Sequence, residues 1–353
     1  MNNDLSSLRV RDIGEQGLLE RLQRFCPPGM IGDDGAVLVT ESDKCLIVTT
    51  DMLVDGVHFS DVTTSAQDAG WRAAAANLSD LAAMGATPMG ITVGLGLPGD
   101  VTVSWVEGLY AGMTECLAKY HIPIVGGDIV RSPITTLAIT AFGQVHPNLI
   151  IRRSTAQVED AIVLTGVHGA SRGGLELLLH PEIGQNLKAE AKTALITAHQ
   201  RPNPRLDVLP ILWEIVESQC KIVRLSEVEV PNLKSQITIA GMDSSDGLAD
   251  AILQICRASQ VGAVIESNKI PLPLAFGGWL TEEKCLEYAL YGGEDFELVL
   301  CLPIEPALKL VEHLGTGAAI IGKITPGSKV ILHDEKGEIP DRVLNLSQGF
   351  QHF

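Results

Sequence analysis

Short apolar, β-branched runs alternate along the chain with longer segments of helical period, so strands and helices are expected in turn. KCLIVTTD at 44–51 is apolar and ends on a carboxylate, which predicts a strand. From Ser65 to Met84 the segment SAQDAGWRAAAANLSDLAAM is alanine-rich and opens on Ser65 and Asp68 as a capping box, which predicts a helix. MGITVGLGLPG at 89–99 reads as a strand followed by a break, and Ser104 with Glu107 reads as a second capping box opening a helix to Tyr120. HIPIVGGD at 121–128 reads as a strand ending in a glycine turn, and TTLAITAFGQVH at 135–146 as another strand.

Pro147 to Asp160 is a candidate hinge. Beyond it come a strand, AIVLTG at 161–166, and a helix from near Ala170. RPNPR at 201–205 breaks the chain before a helix at 206–219, and the charged stretch 221–236 reads as a surface loop or insertion. ITIAGMD at 237–243 predicts a strand and DGLADAILQICRAS at 246–259 a helix, with further strands near 261–266, 296–302 and 318–323. The pattern is that of an α/β protein of the α+β type, in two domains of ordinary size spanning 1–150 and 151–353.

Composition narrows the class. Apolar residues are 46% of the chain and glycines number 35, enough for a sizeable core joined by tight turns. The formal charge of −17 disfavours nucleic-acid and membrane phosphates as partners. Seven cysteines are scattered without a CxxC pair, which argues against a disulfide framework and for a reducing compartment. The polar N-terminal stretch lacks a signal peptide's apolar core, and no segment approaches the ~20 apolar residues of a membrane span. A soluble, cytoplasmic protein is expected.

Two motifs mislead. Gly94 to Gly99 matches the dinucleotide fingerprint GxGxxG, but Pro98 and the β-branched run Val101-Thr102-Val103 intervene before the next helix. GAAIIGK at 317–323 nearly matches a P-loop, yet Ile324 stands where a magnesium-binding hydroxyl belongs and the spacer is strand-like. Both read better as strand.

The placement of aspartates carries more. Asp33 and Asp34 lie in a glycine turn, Asp51 closes a strand, Asp80 sits inside the alanine-rich helix, and Asp128 follows Gly126-Gly127. Asp243 closes a strand and Asp246 opens the next helix. Singly, Asp33 and Asp34 read as turn formers, Asp246 as a helix cap, and Thr49 and Thr50 as ordinary strand residues. Together, carboxylates at the ends of apolar strands would converge on one edge of an open sheet. Such a cluster needs cations, and its hard oxygens select Mg²⁺, Mn²⁺ or Ca²⁺ rather than Zn²⁺.

IGDDGAVL, TTDMLVDGVHF, NLSDLAAMGATP, GGDIVRS, MDSSDGLADAI and YGGEDFEL, in this order, together with HQRPNPR and the ending GFQHF, resemble the thiamine-monophosphate kinase family over nearly the whole chain. NLSDLAAMGA is shared with a wider superfamily that includes aminoimidazole ribonucleotide synthetase; DGVHF with GGEDFE is more specific to the kinases. The resemblance implies a two-domain aminoimidazole ribonucleotide synthetase-like fold. Its N-terminal mixed sheet would pair across a homodimer and carry metal and ATP, and its C-terminal α/β domain would complete the ATP and substrate sites. It implies Mg²⁺ at Asp34, Thr49, Thr50, Asp51, Asp80, Asp128, Asp243 and Asp246. It implies ATP contacts at Tyr110, Gly127, Asp128, Arg153 and Ser245, the Tyr110 match resting on helix spacing alone. Substrate contacts would be His58, Glu294 and Phe350, and catalysis would centre on Asp51, Asp128 and Arg153.

The implied reaction is ATP-dependent phosphorylation of thiamine monophosphate, the last step of thiamine diphosphate biosynthesis. A phosphate acceptor is largely ionised at neutral pH, its second pKa being ~6, so no strong general base is required. That suits a chain with no evident Ser-His-Asp or Cys-His arrangement. The alternatives are an ATP-dependent synthetase of the same superfamily that releases phosphate, and a non-catalytic nucleotide or metal binder.

Overall fold

The computed structural model describes residues 7–27, 38–225, 237–334 and 340–345. The chain divides into two units. The first comprises Met1–Leu81, Ala86–Pro147 and Gln200–Pro202. The second comprises Ala82–Gly85, Asn148–His199 and Asn203–Phe353.

In the first unit helix α1 (Val10–Leu22) precedes strand β1 (Cys45–Val54), helix α2 (Ala66–Ala83), strand β2 (Thr87–Leu97), helix α3 (Val103–Ala118) and strands β3 (Ile124–Arg131) and β4 (Thr136–Val145). The strands form one sheet in the order β1-β4-β2-β3, antiparallel except for the β2–β3 pair. Strict alternation in β4 buries Leu137, Ile139, Ala141 and Val145 on one face, where helix residues such as Leu78 and Leu81 are also buried. The opposite face stays open and carries Leu46, Val48, Thr50 and Met52 of β1.

Three sequence expectations change here. β1 runs on to Val54, so Asp51 is inside the strand. Gly126, Gly127 and Asp128 form no turn: they lie within β3, paired with Thr92, Val93 and Gly94 after a register shift. The glycines serve close strand approach, since a Cβ on Gly127 would lie 2.2 Å from the Val93 carbonyl oxygen. The cap of α3 is Thr102, whose hydroxyl accepts the Trp105 N–H at 3.1 Å, while Ser104 turns its own hydroxyl towards Thr102. Ser65 does cap α2, accepting the Asp68 N–H at 3.2 Å.

The second unit contains β5 (Ala161–Leu164), α4 (Ala170–Leu179), α5 (Ala189–Gln200), α6 (Val208–Leu225), β6 (Ala240–Asp243), α7 (Leu248–Ser259), β7 (Gly262–Glu266), α8 (Glu282–Tyr291), β8 (Leu298–Leu302), α9 (Ile304–Leu314), β9 (Ala319–Thr325), β10 (Val330–His333) and β11 (Arg342–Val343). Its sheet runs β11-β10-β7-β9-β5-β8-β6. β5 and β8 are buried along their whole length, as a continuous apolar run requires when both faces of a strand are covered. Leu248, Ala251, Ile252, Ile255 and Cys256 recur at helical spacing on α7 and join this core, each large aliphatic contributing about 1.5–3 kcal/mol.

The stretch expected as a loop from 221 is helical as far as Leu225, and the remainder of 221–236 lies outside the described residues. Asp246 does not open α7; Gly247 is its N-cap. The Gly94–Leu97 run lies in β2 and Ala319–Lys323 in β9, so neither nucleotide-like motif forms a phosphate loop.

Candidate active site

The residues matched by the resemblance fall into separate groups within each unit. In the first, Thr49 and Asp51 share the covered face of β1. Thr49 donates its hydroxyl to Asp80 on α2 in a short hydrogen bond. The Asp51 N–H is taken by the Asn77 side chain at 3.2 Å, and Asn77 in turn donates to the Ala73 carbonyl at 3.0 Å. A helical aspartate and asparagine one turn apart thus grip the strand that carries Asp51. Thr50 points to the open face and meets Thr140 at 2.9 Å.

Asp128 stands elsewhere. The row through Asp51 passes Ile139 and Val93 and reaches β3 at Gly127, one residue before Asp128. Three strand spacings separate the two aspartates, about 14 Å of sheet, and they belong to opposite faces. Asp51 and Asp128 therefore do not converge on one edge of this sheet, and among the described residues no three acidic, histidine or cysteine side chains are disposed to share one ion. The reason is topological, because β1 and β3 are the outer strands of the sheet.

His58 follows β1 in a turn closed by the Gly56 N–H on the Phe59 carbonyl at 2.8 Å. Its Nδ1 accepts the Val54 N–H at 3.0 Å, which leaves the neutral ring's proton on Nε2. Tyr110 is buried in α3, with its ring 5.6 Å from that of Phe25, and desolvation raises its pKa.

In the second unit Asp243 is buried at the end of β6, and Ser245 donates to it at 3.0 Å. Arg153, in the turn before β5, is exposed; its charge and that of Asp246 both act on Asp250, whose pKa burial raises. The loop Gly292–Glu297 lies against these residues: the Glu294 N–H donates to the Ser245 carbonyl at 2.7 Å, and the Ser244 N–H to the Glu297 carbonyl at 2.9 Å. Glu294 and Phe296 both adopt left-handed backbone, φ 58° and 52°. For non-glycine residues this costs about 1–3 kcal/mol each, so the loop shape is imposed by its surroundings. The Glu294 carboxylate is 3.7 Å from Nδ1 of buried His199. Asp34 and Phe350 lie outside the described residues.

Sequence reasoning passed over the groups that hold this loop. Asp295 and Glu297 sit inside the GGEDFE motif, but of its acids only Glu294 is given a role by the sequence. The Asp295 carboxyl is partly buried, and desolvation pushes its pKa up to about 7 against the pull of two backbone N–H donors. Glu297 forms an ion pair with Arg205 and accepts from Thr165 at 2.5 Å; Arg205 also donates to the Thr165 carbonyl at 2.7 Å. His168 is fully buried, and desolvation lowers its pKa to about 4. Two acids in the motif were a usable signal; nothing local marks His168.

Two such domains in tandem are the architecture of the AIR synthase related proteins. The N-terminal domain profile of that family matches residues 32–145 and the C-terminal one residues 157–335. The chain is 50% identical over 352 residues to the thiamine-monophosphate kinase of Synechococcus elongatus, covering 99% of each. The crystal structure of thiamine-monophosphate kinase from Stenotrophomonas maltophilia aligns with a TM-score of 0.73 and 31% identity, over 90% of this chain and 95% of that one. A solved complex of AaThiL with AMPPCP and TMP aligns with a TM-score of 0.67 and 28% identity, over 95% and 98%. The chain belongs to the thiamine-monophosphate kinase family within the AIR synthase related proteins.

Proposed function

We propose that the chain transfers the γ-phosphoryl group of ATP to thiamine monophosphate, forming thiamine diphosphate and ADP in one in-line step. The observation that carries this reading is the hydrogen bond from Glu294 to Ser245, which joins the acceptor-side loop to the nucleotide-side loop in a chain 50% identical to a kinase of this name. The AaThiL complex, which holds AMPPCP and TMP, supports the pairing of ligands.

The acceptor phosphate supplies its own nucleophile, being largely ionised above its second pKa of ~6. Its oxygen bonds to the γ-phosphorus as the bond to the β–γ bridging oxygen breaks, and ADP leaves with that electron pair. The obstacle is repulsion between two polyanions: unit charges 4 Å apart cost about 1 kcal/mol in water and several when partly desolvated. Arg153 offers a fixed cation against that charge. His58 would donate from Nε2 to the acceptor, Glu294 would accept from its aminopyrimidine, and Phe350 would stack on a ring. Tyr110, Gly127 and Ser245 would contact ATP.

The donor set fits a hard cation, since Thr49, Asp51 and Asp80 lie together and present only oxygen, as do Asp243 and Ser245. Several Mg²⁺ ions, in separate groups, would be held by Asp34, Thr49, Thr50, Asp51, Asp80, Asp128, Asp243 and Asp246, and when bound would offset phosphate charge. Residues 1–150 would supply the metal and ATP side and 151–353 the remainder. A homodimer is supported by the open face of the first sheet, where Leu46, Val48, Met52 and Val130 are 50–56% exposed. The described residues contain no helix long and apolar enough to cross a membrane.

The test is formation of thiamine diphosphate from thiamine monophosphate with Mg-ATP. Folded protein that makes none, or that releases free phosphate instead, overturns the reading. Light scattering checks the dimer.

A further inference from the structure

We propose that the connection between β5 and α4 positions the two substrate loops of the second unit separately, and that Asp295 is the positioning residue for acceptor recognition by Glu294. The inference rests on the phosphoryl-transfer reading above and deepens it.

The Asp295 carboxylate holds the first turn of α4 with both oxygens. Oδ2 accepts the Gly169 N–H at 2.7 Å and Oδ1 the Ser171 N–H at 2.9 Å. These are amides that a helix leaves without intrahelical partners, and a carboxylate there is favoured by the helix dipole. The residues on either side of Asp295 are the two in left-handed backbone, Glu294 and Phe296. Neither has a glycine's freedom, so each relaxes unless the chain is pinned between them. Asp295 is that pin. Glu294 is thus held from one side by Asp295 and from the other by its own N–H on the Ser245 carbonyl.

The same connection reaches the other loop through His168. The Gly166 carbonyl can only accept, so Nδ1, 3.1 Å away, carries the ring proton. Nε2 then accepts the Ser244 hydroxyl at 3.1 Å. Ser244 lies between Asp243 and Ser245, which are matched to metal and ATP. Its N–H donates to the Glu297 carbonyl, and with the ring bond this fixes it from two directions. Asp295 therefore acts on the acceptor side and His168 on the nucleotide side of one frame.

Steady-state kinetics of wild type, Asp295→Ala, Asp295→Asn and His168→Gln test this, with thiamine monophosphate and Mg-ATP varied separately and a thermal melt of each protein. Asp295→Ala should raise KM for thiamine monophosphate about tenfold or more while KM for ATP stays within about twofold. Asp295→Asn keeps one acceptor oxygen and should fall between wild type and alanine, and it serves as the test if the alanine variant does not fold. His168→Gln should show the reverse split, with ATP the more affected. A purely structural role lowers the melting temperature and kcat without separating the two KM values; that outcome, or an unchanged acceptor KM in a folded Asp295 variant, overturns the proposal. Wild type that makes no thiamine diphosphate overturns both this and the functional reading; wild-type turnover with unsplit KM values overturns this one alone.

Discussion

Replacing His168 by glutamine removes a titratable ring from the interior of the second unit. The ring is fully buried and neutral, with one nitrogen donating to Gly166 and the other accepting from Ser244. Burial lowers its pKa from 6.5 to about 4 in the folded chain. The folded value is the depressed one, so the unfolded chain binds the extra proton between these limits. The contribution to stability is then fully present above pH 6.5 and lost as pH falls towards about 4. Integrated from pH 8 to pH 5, the loss comes to about 2 kcal/mol. Urea unfolding followed by circular dichroism at pH 8 and pH 5 measures it. The quantity to read is the difference between wild type and His168→Gln, because other groups that titrate in this range are common to both. Wild type should lose about 2 kcal/mol more than the variant on acidification. Equal losses would refute the reasoning, since they would mean that His168 takes up no proton on unfolding.

Arg205→Met leaves the Glu297 carboxylate enclosed without its cation and should cost about 3 kcal/mol, while the double variant with Glu297→Gln should recover part of it; a thermal double-mutant cycle measures the coupling. Asp80→Asn keeps an oxygen acceptor for Thr49 but removes a negative charge from the proposed metal group, so turnover should need a higher Mg²⁺ concentration and fall about 10- to 100-fold at fixed metal, with an unchanged Mg²⁺ titration counting against the assignment. Thr102→Ala should destabilise the first unit by about 1 kcal/mol through loss of the α3 cap, whereas Ser104→Ala should stay within about 0.5 kcal/mol, both read by denaturant midpoints.

Much of the fold was legible as local pattern. The runs at 161–164 and 298–302 are apolar without interruption, and such runs form central strands whatever their neighbours. α2 was legible from alanine content and its serine cap. The misreadings share a cause. Ser104 and Thr102 are both good caps, and the chain's approach to α3 chose between them. Gly126-Gly127 suits a turn or a tightly paired strand, and the Val93 carbonyl at the position of the missing Cβ explains the second. Asp51 looked terminal because the charge interrupts an apolar run, but pairing with β4 carries the strand three residues further.

Residue chemistry and element type belong to the local chain. Thr49, Asp51, Asp80 and Asp128 announce oxygen donors, and periods of 2 and 3.6 announce strand and helix, because both depend on neighbours a few bonds away. Which donors meet was a matter of strand order and face. Thr49 reaches Asp80 because α2 lies on the covered face of β1, and Asp51 is kept from Asp128 because β4 and β2 stand between their strands. Asp295 clasps α4 across 124 residues of chain. Contacts of that range depend on register and crossover, which are settled by the burial of the whole sheet and leave no mark at any single position.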